Sequence, residues 1–123
     1  MAFDIEKDES SRLIASNKVE GTAVYNLGGD KLGSIYNFMV DKRSGHVEYA
    51  VLEFGGFFGL ASDYYPLPWN LLTYDEDLGG YVVKLERETL EKAPRYSAGE
   101  EPAFDNAYGQ QVYSHYGVPY PGA

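Results

Sequence analysis

The sequence predicts a mainly all-β domain, a small antiparallel barrel, on three observations. Short apolar runs alternate with polar residues and are separated by glycine- and aspartate-rich turns, the signature of several short strands joined tightly. Aromatic residues make up 15% of the chain, with Tyr counted at 12, and tyrosine suits half-buried strands because it couples a large ring to a hydroxyl. Finally, Phe54-Gly55-Gly56-Phe57-Phe58-Gly59-Leu60 is soon followed by Tyr64-Tyr65-Pro66-Leu67-Pro68-Trp69. Rings crowd there around glycines and prolines, in a chain with few reactive side chains.

Taken in order, residues 1 to about 12 form an acidic leader expected to be mobile. Val19 to Tyr25 reads as a strand closed by the turn Asn26-Leu27-Gly28-Gly29-Asp30. Lys31 to Asp41 is a second strand, and its apolar step from Ile35 to Phe38 breaks strict alternation, which predicts a β-bulge or sharp bend. Lys42-Arg43-Ser44-Gly45-His46 connects it as a hairpin to Val47–Phe54. That strand is apolar on both faces, with Val47, Tyr49 and Val51 on one and Ala50, Leu52 and Phe54 on the other, so it is central or covered by another element. Tyr64 to Tyr74 follows; Pro66 and Pro68 cannot donate to a ladder and share parity, which places one side of this segment at an edge or kink and leaves the opposite side free to pair. After the turn Asp75-Glu76-Asp77-Leu78-Gly79-Gly80, Tyr81 to Glu86 is a further strand. Arg87 to Ala93 makes a short helical turn, stopped before Pro94.

From Ser97 the composition changes, with Glu100, Glu101 and Asp105 but no Lys or Arg. Asp105 can cap a tail helix whose stripe is Tyr108, Val112 and Tyr116, with Gly117 and Pro119 as stop signals. So short a helix is marginal alone and forms by docking its aromatic stripe, either on its own barrel or on a neighbouring subunit. The resulting organisation is a leader (1–12), a barrel domain (13–96) and a tail (97–123).

Composition narrows the function classes. A chain of 123 residues fits one domain. With Cys at 0, disulfides, thiolate metal sites and cysteine nucleophiles are out. A net charge of −9 with scattered cations opposes nucleic-acid binding. The first residues lack the cationic start and apolar core of a signal peptide, and no apolar run approaches the ~18 residues that span a bilayer. A cytoplasmic protein without membrane insertion is expected.

In this order and spacing the residues resemble the PRC-barrel family. The resemblance runs from about Arg12 to Tyr96 through Val19-Glu20-Gly21-Thr22-Ala23-Val24-Tyr25, Gly33-Ser34-Ile35 leading to Val40-Asp41, Ser44-Gly45, Tyr49-Ala50-Val51, Phe54-Gly55-Gly56-Phe57, Tyr64–Trp69 and Gly80-Tyr81-Val82-Val83. Tyr113-Ser114-His115-Tyr116-Gly117-Val118-Pro119-Tyr120 also resembles the tails of stand-alone bacterial members. The family includes the cytoplasmic domain of the photosynthetic reaction-centre H subunit and the C-terminal domain of a ribosome-maturation factor. The resemblance implies a small antiparallel PRC-type β-barrel that acts through protein contacts, with no catalytic residues to carry over. Neither the H subunit's membrane helix nor the maturation factor's preceding domain is matched here, so photosynthetic and ribosomal roles do not transfer.

Candidate sites are weighed on that background. His46 and His115 are far apart in sequence, and a metal site needs its ligands gathered, so no metal or cofactor is expected. Asp75, Glu76 and Asp77 lack the longer loop of a calcium site and read as a solvated turn. Neither Gly28-Gly29 nor Gly55-Gly56 is followed by the lysine–serine/threonine pair or the helix start of a phosphate cradle, so both read as turns. Ser10, Ser11, Ser34 and Ser62 have no nucleophile-elbow context, which leaves no enzymatic reading. Glu53, on an otherwise apolar face, needs a partner, and a salt bridge or a place at the barrel mouth is expected for it. Trp69 is assigned to the core. The partner-binding candidates are Phe57, Phe58, Leu60, Tyr64 and Tyr65, as an exposed aromatic patch or a plug of the barrel end, together with Tyr108, Val112 and Tyr116 of the tail. The expected function is a non-enzymatic interaction or scaffold module that self-associates as a homodimer. The alternatives are a small-ligand or metal-binding regulatory barrel, and a ribosome-assembly accessory working through a protein partner.

Overall fold

The structure, a computed structural model, describes residue 10 and residues 12–55 and 62–121. Phe57, Phe58 and Leu60 lie outside the described residues. The elements run α1 (Ser16–Val19), β1 (Ala23–Tyr25), β2 (Lys31–Val40), β3 (Val47–Gly55), β4 (Ser62–Pro68), a 3-10 turn (Trp69–Leu71), β5 (Leu72–Asp75), β6 (Gly80–Val83), α2 (Arg87–Glu91), β7 (Tyr96–Ser97) and α3 (Asn106–His115).

All strands join one 7-stranded sheet in the order β5-β6-β1-β2-β3-β4-β7. The mainly all-β class holds, with two departures from a closed antiparallel barrel. β1 pairs in parallel with β6, and the terminal strands β5 and β7 form no ladder with each other among the described residues. The sheet is nonetheless rolled: β4 near one end passes to β5 at the other through only the 3 residues of the 3-10 turn. Trp69 therefore bridges the seam, its ring 6.1 Å from Phe38 of β2 and 5.5 Å from Tyr81 of β6. It is half-buried against the core rather than inside it, because a turn residue joining two sheet ends cannot point fully inward.

Local chemistry accounts for the elements. The broken alternation in β2 is a bulge: Ile35 faces Leu52 but Asn37 faces Val51, so Tyr36 is the extra residue and is turned outward, 47% exposed. A second irregularity places Met39 opposite Tyr49 and Val40 opposite Val47, leaving Glu48 as the extra residue on β3. Two hairpins share one device. Asp41 Oδ1 accepts from the amides of Arg43 and Ser44 at 2.9 and 2.8 Å, and Asp75 Oδ1 from those of Asp77 and Leu78 at 2.9 and 3.1 Å. Each turn closes on a glycine at positive φ, Gly45 at 79° and Gly79 at 65°. The same amides hold the Asp41 carboxyl below its ordinary range.

The strand expected from Val19 is shorter, since Val19 ends α1 and pairing begins at Ala23. Tyr64 to Tyr74 divides at the 3-10 turn, and β6 ends at Val83. The prolines behave as their chemistry requires. Pro66 and Pro68 sit opposite Val51 and Tyr49 of β3, while β7 pairs with β4 only at Asp63 and Tyr64, short of the first proline. The pairing edge of this segment is therefore taken up by β3 of the same chain.

The interior holds Val24, Leu32, Ile35, Leu52, Leu67 and Val83, with Leu90 of α2 fully buried among them. A second cluster lies on the outer face of β3, where Tyr49 meets Val112 and Tyr113 of α3. Both faces of β3 are thus covered, as its double apolar character requires.

Candidate functional site

Strand alternation separates the two tyrosines that the sequence groups together. Tyr65 points inward, 5% exposed, with its ring 5.4 Å from Phe54 and the Arg95 guanidinium 6.0 Å above it. It is a core residue, not part of an exposed patch. Tyr64 points outward and is half-buried. Its ring lies 4.6 Å from Tyr36 and stacks on Tyr96 at 5.5 Å with an interplanar angle of 26°.

These three rings form a continuous strip across the outer face, contributed by β2, β4 and β7. At its foot stands Glu53 on β3, in register with Ser34 on one side and Tyr64 on the other. Among the described residues no ion pair reaches the Glu53 carboxylate. The strip sits in a negative field: partial desolvation, then Glu53, Tyr36 and Glu101, push the Tyr64 phenol up. Desolvation and then Glu101 move Tyr96 to about 12. Glu53, isolated in the sequence reading, thus keeps its half-exposed place beside the tyrosines without a salt bridge from the described residues.

Beside the strip, Asp63, Arg95, Tyr96, Glu100 and Tyr108 line an open groove of about 640 Å³. Arg95 is committed on both sides, 3.4 Å from Asp63 and donating to the Glu91 carbonyl at 3.3 Å. The Tyr108 hydroxyl is buried without a hydrogen-bond partner among the described residues. No group of three or more metal-ligating side chains gathers among those residues. His46 is exposed in its turn, while His115 bonds the Thr89 carbonyl at 2.9 Å and ties α3 to α2.

The tail docks on its own sheet. Asp105 caps α3 by accepting from the Tyr108 amide at 2.9 Å. The buried side is Gly109, Val112 and Tyr113, with Tyr108 and Tyr116 flanking it half-buried. The expected stripe of Tyr108, Val112 and Tyr116 is therefore rotated by about one residue, and it packs within the chain rather than standing open to a partner. Tyr113 donates its hydroxyl to the Glu48 carbonyl at 2.5 Å, at the residue that the β2–β3 register skips. Burial and the neighbouring Glu48 move this phenol to about 12. Around it Tyr49, Phe104 and Tyr120 pack edge to face at 5.2–5.6 Å.

Sequence reasoning missed Tyr36, Tyr96 and Tyr113. Tyr36 was legible only as one apolar residue of a strand, and its outward turn depends on where the bulge falls. Tyr113 lies off the i, i+4 spacing, although Tyr113, Tyr116 and Tyr120 within eight residues mark a segment built for packing.

A rolled, open, mainly antiparallel sheet plugged by one short helix and overlaid by a second defines a small β-domain with an aromatic exterior strip. This chain belongs to the PRC-barrel domain family, whose model matches residues 12–90. It is also similar to an uncharacterized protein of Deinococcus radiodurans, 25% identical over 92 residues. That match covers 75% of this chain and 30% of the relative's length. No helix among the described residues is long and apolar enough to cross a membrane.

Proposed function

We propose that this chain is a non-catalytic protein-interaction module that pairs with a second copy of itself and so serves as a scaffold. The supporting observation is the end of the sheet at β5. That strand is terminal in the order, its outer edge has no ladder partner among the described residues, and it presents Tyr74 at 41% exposure, with Leu78 at 45% on the hairpin tip. A free edge carries unpaired backbone donors and acceptors and is a template for another strand. A second copy brings the same edge, and two identical edges related by a two-fold axis satisfy each other. Docking of the tail within the chain and pairing of β4 with β3 leave β5 as the edge on which this reading rests.

Light scattering on the purified protein at tens of micromolar is the test. A dimer is expected, and the double substitution Tyr74→Lys with Leu78→Lys should yield monomers with an unchanged circular dichroism spectrum. A wild-type protein that stays monomeric removes the reading.

A further inference from the structure

We propose that the strip Tyr36–Tyr64–Tyr96, with Glu53 at its foot, is a docking surface for an arginine- or lysine-bearing segment of a basic partner protein. This goes beyond pairing of like copies and uses a different face of the sheet. The β5 edge and the strip lie on strands separated by β6 and β1 in the sheet order.

The geometry argues for a cation rather than for an apolar ligand. Three ring faces are linked by centroid distances of 4.6 and 5.5 Å, and Tyr36 is 47% exposed. Aromatic faces carry negative potential and attract a guanidinium or ammonium that sits over them. Among the described residues two other rings already carry a cation: Arg87 lies 5.3 Å over Phe54 and Arg95 6.0 Å over Tyr65. Among the described residues no cation lies over Tyr36, Tyr64 or Tyr96.

Charge adds to this in the same direction. Glu53 is set between Ser34 and Tyr64 by the registers of both hairpins, with no ion pair to a described residue. The charge of Glu101 also raises the Tyr64 and Tyr96 phenols. A cation lying over the Tyr64 ring has the Glu53 carboxylate on the neighbouring strand, and a planar guanidinium can stack on a ring while its N–H groups face a carboxylate. The occupant is a different protein and not another copy of this one. Glu53 stands at this face and the chain's few cations are scattered along its sequence, so a basic partner with clustered Arg or Lys is steered toward it better than a second copy.

Titration calorimetry or chemical-shift mapping with a short alanine–arginine repeat peptide tests the idea, with the glutamine-for-arginine version as control. The expected result is saturable binding of the arginine peptide, with shifts confined to Tyr36, Tyr64, Tyr96 and their neighbours, and none of the control. Tyr36→Ala and Glu53→Gln should each weaken binding about tenfold while leaving the fold unchanged, since Tyr36 is an exposed ring on a bulge. Equal affinity in wild type and both variants would mean diffuse attraction to an acidic protein and would overturn the proposal. Binding of the glutamine peptide with the same strength, or shifts centred on the Asp63–Tyr108 groove, would overturn it as well.

Discussion

Replacing Tyr113 with phenylalanine removes one oxygen from the contact between tail and barrel. The ring can remain against Tyr49, 5.6 Å away, and against Tyr120 at 5.2 Å. What disappears is the 2.5 Å hydrogen bond to the Glu48 carbonyl, at a position that the strand register leaves over. A net hydrogen bond contributes about 1 kcal/mol, and leaving a part-buried carbonyl unpaired raises the cost toward 2 kcal/mol. The substitution also has a signature in pH. In the folded protein the Tyr113 phenol titrates at about 12, against roughly 10 for a free tyrosine. A raised folded value means that the folded state holds its proton more tightly, so the stabilisation is complete below about pH 10 and is lost as pH climbs toward 12. That contribution is on the order of 1–2 kcal/mol, allowing for hydration at the rim of the cluster. Urea unfolding followed by far-ultraviolet circular dichroism should give a lower midpoint for Tyr113→Phe near neutrality. The gap to wild type should then narrow above about pH 10, because the variant has no proton to lose at this position. Desolvation raises Tyr49, Tyr108 and Tyr116 in the same direction, so both proteins weaken in alkali and only the difference between them is diagnostic. Equal midpoints near neutrality, or a gap that stays constant into alkali, would refute the link between bulge and tail.

Other substitutions test the interior. Leu90→Ala should cost about 2–5 kcal/mol in chemical denaturation, since this fully buried side chain is the plug that α2 inserts into the roll; a loss under about 1 kcal/mol would mean that α2 is peripheral. Gly33→Ala would place a Cβ 2.1 Å from the Glu53 carbonyl oxygen, where backbone rather than a flexible side chain must yield. It should cost about 1–3 kcal/mol or more and speed hydrogen exchange along β2 and β3, and unchanged protection there would contradict the close approach.

Where local chemistry decides, the sequence was readable. The step from Ile35 to Phe38 announced the bulge that the register contains, and the double apolar face of Val47–Phe54 announced a strand covered on both sides. Asp105 and Gly117 bracketed α3, since capping and a left-handed stop are local events. What stayed hidden depends on contacts between distant segments. Nothing near Tyr65 says that it faces Phe54 while Tyr64 faces Tyr36, because absolute facing needs the neighbouring strand. Parallel pairing of β1 with β6 joins segments more than fifty residues apart, and no short-range pattern encodes it. The candidate surface was legible in part: Tyr64 and Glu53 stood out, but Tyr36 and Tyr96 became their neighbours only once three strands were aligned.

The chain contains a single tryptophan, and it occupies the short link between opposite ends of the sheet. No ladder fastens β5 to β7 among the described residues, so the shared core, covalent continuity and the indole packed on Phe38 and Tyr81 hold the roll together. Emission from that indole is therefore a built-in gauge of closure: if the ends part, its colour shifts red before the rest of the sheet gives way.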